Sequence, residues 1–195
     1  MTASAECVLF GLVALEFGFR LCLEIREARL SYGKFDRFAF LRIVPIVNDI
    51  FPAEANFEKA ESLGAFERAH EKAHRKRHHG ILRIAFQAGF ALFCALAIGA
   101  AGVELHFGLW KLLLLFHLLF AVSKVFYHAM CFAEEYEADA LAVKNVQFGV
   151  AKRALESLMA RECPRSALFA LVYRTHPTAR MRLERILESG KGKRG

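Results

Sequence analysis

The sequence predicts a mainly α integral membrane protein built around a transmembrane helical hairpin, with at most a small β element. Three observations carry that expectation. Hydrophobic residues make up 55% of the 195 positions, against roughly 45–50% in a soluble globule. Two long apolar runs, Ile84–Val103 and Leu109–Met130, follow one another with only a short break. Lys and Arg gather on the flanks of these runs rather than along one soluble face. The length suits one domain, 1–195. Content this apolar excludes a disordered tail protein. With 19 Phe and a mean hydropathy of +0.28, the surplus is expected in lipid.

The first candidate span lies within residues 5–25, where Val8–Leu23 is apolar except for Glu16 and Arg20. These two stand one helical turn apart and can neutralise each other on a face turned towards protein. An interfacial amphipathic helix is the rival reading of this run. Residues 26–80 follow as a cytoplasmic segment. Within it Arg37–Ile50 reads ambiguously, as a short strand interrupted by Pro45. Pro52 suits a first helical turn, and Phe57, Ala60 and Leu63 keep helical spacing towards Ala73, with Gly80 as the expected stop. The hairpin occupies 81–130. Its first leg has twenty residues without a charge, the length needed to cross a hydrocarbon core of about 30 Å. Its second leg carries Lys111 and Lys124 near its ends, where both can snorkel. Residues 131–195 form a cytoplasmic helical segment, with helices expected at Phe132–Ala142, Val150–Arg161 and Ala179–Glu188. Arg26, Arg29, Lys34, Arg37 and Arg42 follow the first run, Arg75, Lys76, Arg77 and Arg83 border the second, and the loop between the legs has no Lys or Arg before Lys111. By the positive-inside rule 26–80 and 131–195 face the cytoplasm, and three spans make the parities agree.

The net charge of +7 is thus explained by topology. Nucleic-acid binding would want basic residues interleaved with stacking aromatics on one soluble face, and Arg75-Lys76-Arg77-His78-His79 is the single dense cluster, so no nucleic-acid partner is expected. No glycine-rich phosphate loop occurs. The five cysteines are widely spaced without a C-x-x-C pair, so neither a disulfide framework nor a cysteine zinc site is indicated. The N-terminus lacks the basic region of a secretory signal peptide.

His70-Glu71-Lys72-Ala73-His74 is an H-E-x-x-H motif in a predicted helix. Residues four apart share a helix face, so the two imidazoles can converge on one ion, with Glu71 placed to take a proton from water. The bland reading is a polar face with two solvated histidines. A catalytic zinc needs a third protein ligand. Glu135 and Asp139 are again four apart, Glu135 as the candidate ligand and Asp139 as acceptor for the outer N–H of a ligand histidine. The alternative is an acidic solvated turn, although the chain has only three Asp and one falls at this offset. Thr175-His176-Pro177 with Arg182 is the third element. His176 near a helix cap and Arg182 inside the helix can stabilise an oxyanion, whereas His176 taken alone reads as a capping or surface residue.

These three motifs in this order resemble the M48 family of integral-membrane zinc metallopeptidases, which includes the HtpX heat-shock and Ste24 CAAX proteases. The resemblance runs from about Phe57 to Leu187. It implies a gluzincin-like core into which the hairpin is inserted, and one zinc ion held by His70, His74 and Glu135. Glu71 would be the general base, Asp139 the partner of a ligand histidine, and His176 the stabiliser of the tetrahedral intermediate, with Arg182 supporting it or the Glu135 region. The implied function is a membrane-embedded zinc endopeptidase that hydrolyses membrane or misfolded proteins at the cytoplasmic face of a bacterial or archaeal membrane. Its partners would be a protein or peptide substrate and the lipid bilayer. Family members carry an Asn-Ala-Phe-Ala-like edge strand before the zinc helix, with no counterpart between Phe38 and Glu61. That departure calls for a partner protein in substrate capture, or for the alternative reading, a non-catalytic regulatory or scaffold relative. His78, His79, His106, His117 and His128 fall outside the motifs and read as interfacial or packed.

Overall fold

The computed structural model describes residues 4–30, 43–44, 64–162 and 166–191. The expected β element at Arg37–Ile50, the helix start at Pro52 and the edge-strand question between Phe38 and Glu61 fall on stretches that lie almost wholly outside them. Among the described residues the regular elements are helices: α1 (Ala5–Leu30), α2 (Ala65–Arg77), α3 (His79–Val103), α4 (Leu109–Asn145), α5 (Phe148–Arg161), α6 (Ala167–Tyr173) and α7 (Ala179–Lys191). The mainly α expectation holds. The described part of the chain divides into two compact units, one of residues 4–26, 43–44 and 82–127, the other of 27–30, 64–81, 128–162 and 166–191.

In the first unit α3 and the start of α4 form the hairpin. The turn between them closes with His106 in the left-handed region (φ 51°), and Phe107 N–H donates to Ala101 O at 3.0 Å. The legs meet near the turn, where Gly102 lies against Leu112, and again at the far end, where Phe86 and Tyr127 rings stand 5.9 Å apart. Both α3 and α4 are long and apolar enough to cross a membrane. Helix α1 has an inverted pattern. Phe10 and Leu15 are 59% and 73% exposed, while Arg20 and Glu24 are 2% and 4% exposed. Arg20 Nε donates to Glu16 Oε1 at 2.9 Å, and His117 of α4 brings Nε2 within 3.6 Å of Glu16 Oε2. In water such a helix would leave its apolar face solvated and dehydrate its charges, so the arrangement suits a solvent that is itself apolar.

The second unit packs α5 against α7 and α2. Phe66 of α2, Ala142 of α4, Ala151 and Leu155 of α5, and Leu183 and Ile186 of α7 form its buried core. Helical spacing put these residues inward on each element, which is the amphipathic signature a soluble unit requires. The stop expected at Gly80 falls two residues earlier. His78 takes the left-handed conformation (φ 57°, ψ 30°) and its N–H bonds to Arg75 O, so Gly80 lies in the first turn of α3. Histidine tolerates this region better than most side chains. Helix α6 was not anticipated. Ser166 caps it by accepting from Phe169 N–H at 3.2 Å, and His128 Nδ1 on α4 lies 2.7 Å from Leu171 O. The predicted Phe132–Ala142 helix is the continuation of α4, which runs without interruption to Asn145.

Candidate metal centre

Helix α2 presents Phe66, His70 and Ala73 inward. The hydrophobic members seat this face on the core and fix the rotation of the helix, which leaves His70 and His74 directed at α4. Glu135 and Asp139, one turn apart on α4, are 1% and 2% exposed. His70 Nε2 and His74 Nε2 are 3.0 Å apart, His70 Nε2 is 3.3 Å from Glu135 Oε2, and His74 Nε2 is 3.3 Å from Glu135 Oε1. Tetrahedral zinc with ligands at about 2.0–2.2 Å places neighbouring ligand atoms roughly 3.3–3.5 Å apart. Each nitrogen stands at such an edge length from one of the two Glu135 oxygens, with the nitrogens themselves slightly closer together, and the donor set (two imidazoles and a carboxylate) is one that zinc accepts. The residues fit the metal.

Behind His70 lies a buried ion pair. His70 Nδ1 is 2.9 Å from Asp139 Oδ1, and Arg182 of α7 donates to the same carboxylate through both Nε (2.8 Å) and Nη2 (2.6 Å). Burial alone would lower the pKa of His70, but the Asp139 and Glu135 carboxylates outweigh it and hold the imidazole above its ordinary value. Glu135, five residues past the apolar run, shows the opposite balance. Burial would raise it, yet hydrogen bonds from His176, His70 and His74 keep its carboxyl well below the usual range. The carboxylate is thus ionised, the form a metal needs.

His176 reaches the same carboxylate, with Nδ1 2.9 Å from Glu135 Oε1 and the side chain 45% exposed. The turn that carries it is pinned at both ends. Glu162 accepts from Arg174 Nη1 at 2.6 Å before the turn and from Ala179 N–H at 2.7 Å after it, at the start of α7. Thr178 Oγ1 accepts from Met181 N–H, capping that helix. Glu71 projects from α2 beside His70, exposed, and has no hydrogen-bond or ion-pair partner among the described residues. Five of the residues singled out in the sequence, His70, His74, Glu135, Asp139 and His176, are thereby brought together. Arg182 lies against Asp139 and not at the exposed mouth.

The family model of peptidase family M48 matches residues 68–189, well over half of the chain, and spans all of these side chains. The chain belongs to peptidase family M48. A metallopeptidase-type function, acting on peptide or protein, follows from that membership. The chain has no match among curated proteins and none among solved structures. Two features of the centre lay outside the motifs: Glu162 with its Arg174 partner, and His79, whose Nδ1 is 2.8 Å from His74 Nδ1.

Proposed function

We propose that this M48 chain is a membrane-embedded zinc endopeptidase of the HtpX and Ste24 type, which hydrolyses membrane or misfolded proteins at the cytoplasmic surface. The observation that carries the reading is the convergence of His70 Nε2 and His74 Nε2, 3.0 Å apart, on the Glu135 carboxylate, each 3.3 Å from one of its oxygens, beside an exposed Glu71. The two apolar helices α3 and α4, together with the inverted pattern of α1, support a membrane setting of three spans. The flanking Lys and Arg support a cytoplasmic orientation.

Bound zinc would supply Lewis acidity that makes water acidic near neutral pH and polarises the scissile carbonyl. The chain does the rest. Glu71 takes a proton from the attacking water, whose oxygen bonds to the carbonyl carbon, and delivers that proton to the amide nitrogen as the C–N bond breaks. His176, half-exposed beside Glu135, donates to the carbonyl oxygen as negative charge develops there. Asp139 and Arg182 act on neither substrate nor water, and hold the His70 ring at the angle the site requires.

Glu71→Gln in detergent-purified protein is expected to retain one zinc per chain and to lose casein cleavage. A variant that cleaves at the wild-type rate would remove Glu71 from this role. A wild-type chain that holds zinc and cleaves neither casein nor a membrane protein would favour the regulatory reading.

A further inference from the structure

The outer nitrogen of His74 points away from the candidate ligand atoms. With Nε2 directed at them, a neutral ligand imidazole has its one remaining N–H on Nδ1, and that proton needs a buried acceptor. For His70 the acceptor is a carboxylate. For His74 the group in place is a third imidazole. His79 Nδ1 stands 2.8 Å from His74 Nδ1, the ring is 3% exposed, and its own Nε2 is 3.4 Å from Glu137 Oε2. Arg77 Nε donates to Glu137 Oε1 at 2.9 Å, completing the chain of partners.

We propose that His79 is a positioning residue for His74. It accepts the Nδ1 proton of His74, passes the hydrogen-bond sense on through its own Nε2–H to Glu137, and so fixes both the tautomer and the ring angle of the second histidine. The directions are mutually consistent. A ligand His74 must donate from Nδ1, His79 must then accept at Nδ1 and carry its proton on Nε2, and a Glu137 carboxyl oxygen accepts there. The three rings form a ladder of edge-to-face contacts, with centroids 4.6 Å apart for His70 and His74 and 4.9 Å for His74 and His79, which restrains the middle ring.

The backbone explains why this residue takes the place. In an uninterrupted helix, residue 79 would stand five positions from His74, about 140° round the axis and facing away. The left-handed turn at His78 breaks the helix and folds His79 back against His74. The break therefore has a consequence for the metal centre, beyond ending α2.

This inference rests on the reading of His74 as a ligand, and the experiment separates the two. Zinc affinity is measured by chelator competition on wild type, His74→Ala, His79→Ala, His79→Gln and Glu137→Gln, alongside the visible spectrum of the cobalt-substituted proteins and the thermal midpoint of the metal-free ones. Loss of the outer partner is expected to weaken zinc binding by about 10–100-fold in His79→Ala and to shift the cobalt bands. His79→Gln, whose amide can accept and donate in the same sense, should recover most of the affinity. Glu137→Gln, on a side chain that is 43% exposed, should show a smaller loss of several-fold. Wild-type affinity and spectrum in His79→Ala and Glu137→Gln, with His74→Ala deficient, would overturn the role of His79 and leave the ligand reading standing. Unchanged zinc in His74→Ala would overturn both. Should His79→Ala lose its fold, the Glu137 variants decide, and wild-type affinity with an unchanged cobalt spectrum in both Glu137→Gln and Glu137→Ala would overturn the proposal.

Discussion

The two candidate ligand histidines stand side by side on α2, yet what lies behind them differs in kind. His70 is backed by Asp139 from α4, and Asp139 by a two-pronged guanidinium from α7, with side chains only 3% and 11% exposed. His74 is backed by His79, five residues along its own chain, and the outer pair, Arg77 and Glu137, is 52% and 43% exposed. The first support is assembled from three helices and sealed from water. The second begins with a neighbour in sequence, His79, passes to Glu137 of α4 and ends at the surface. Breaking a buried ion pair by removing one partner leaves a charge without compensation, at a cost of about 3–5 kcal/mol, whereas an exposed pair is worth about 0–1 kcal/mol. The fold therefore ties its own stability to His70 and leaves His74 to a part that can be altered without unfolding the rest.

Asp139→Ala is the strongest challenge to that contrast. It strands the Arg182 guanidinium and removes the acceptor of His70, so a loss of about 3–5 kcal/mol in denaturant unfolding is expected together with weaker zinc binding. A loss below 1 kcal/mol would erase the distinction between the two supports. Arg182→Lys comes next. Charge is kept but the planar fork that meets both Asp139 oxygens is gone, and a loss of about 1–3 kcal/mol is expected in the same measurement. Chelation sharpens the comparison. Removing zinc should lower the thermal midpoint of wild type, and lower it less in Asp139→Ala, by an amount corresponding to about 1.4–2.7 kcal/mol of weakened binding. Arg77→Ala is the smallest effect, within about 1 kcal/mol of wild type in unfolding. A larger loss there would mean that the outer support is structural after all.

Much of this centre was legible in the sequence because helix periodicity is a reliable ruler. His70 with His74, and Glu135 with Asp139, each sit one turn apart, and the first hairpin leg announced itself by the absence of charge over a bilayer length. The helices expected at Val150–Arg161 and Ala179–Glu188 are α5 and α7. His79 was not legible for the converse reason. Its partnership with His74 depends on a left-handed residue, His78, that no periodic pattern signals, and Gly80 drew the expected stop two positions too far. Arg182 was recognisable as part of a motif, but its approach to Asp139, 43 residues away, is a tertiary fact. Glu162 escaped notice because no motif or helical spacing ties it to His176, and only packing shows that it clamps both ends of the His176 turn.

The polar stripe of α1 has a practical corollary for anyone trimming the molecule. His117 has Glu16 as its neighbour at 3.6 Å, and Phe10 lies 5.6 Å from Trp110. A chain started after residue 30 would strip the hairpin of that cover and lay bare the His117 imidazole. Such an edited protein should aggregate, even though His70, His74 and Glu135 all remain encoded within it.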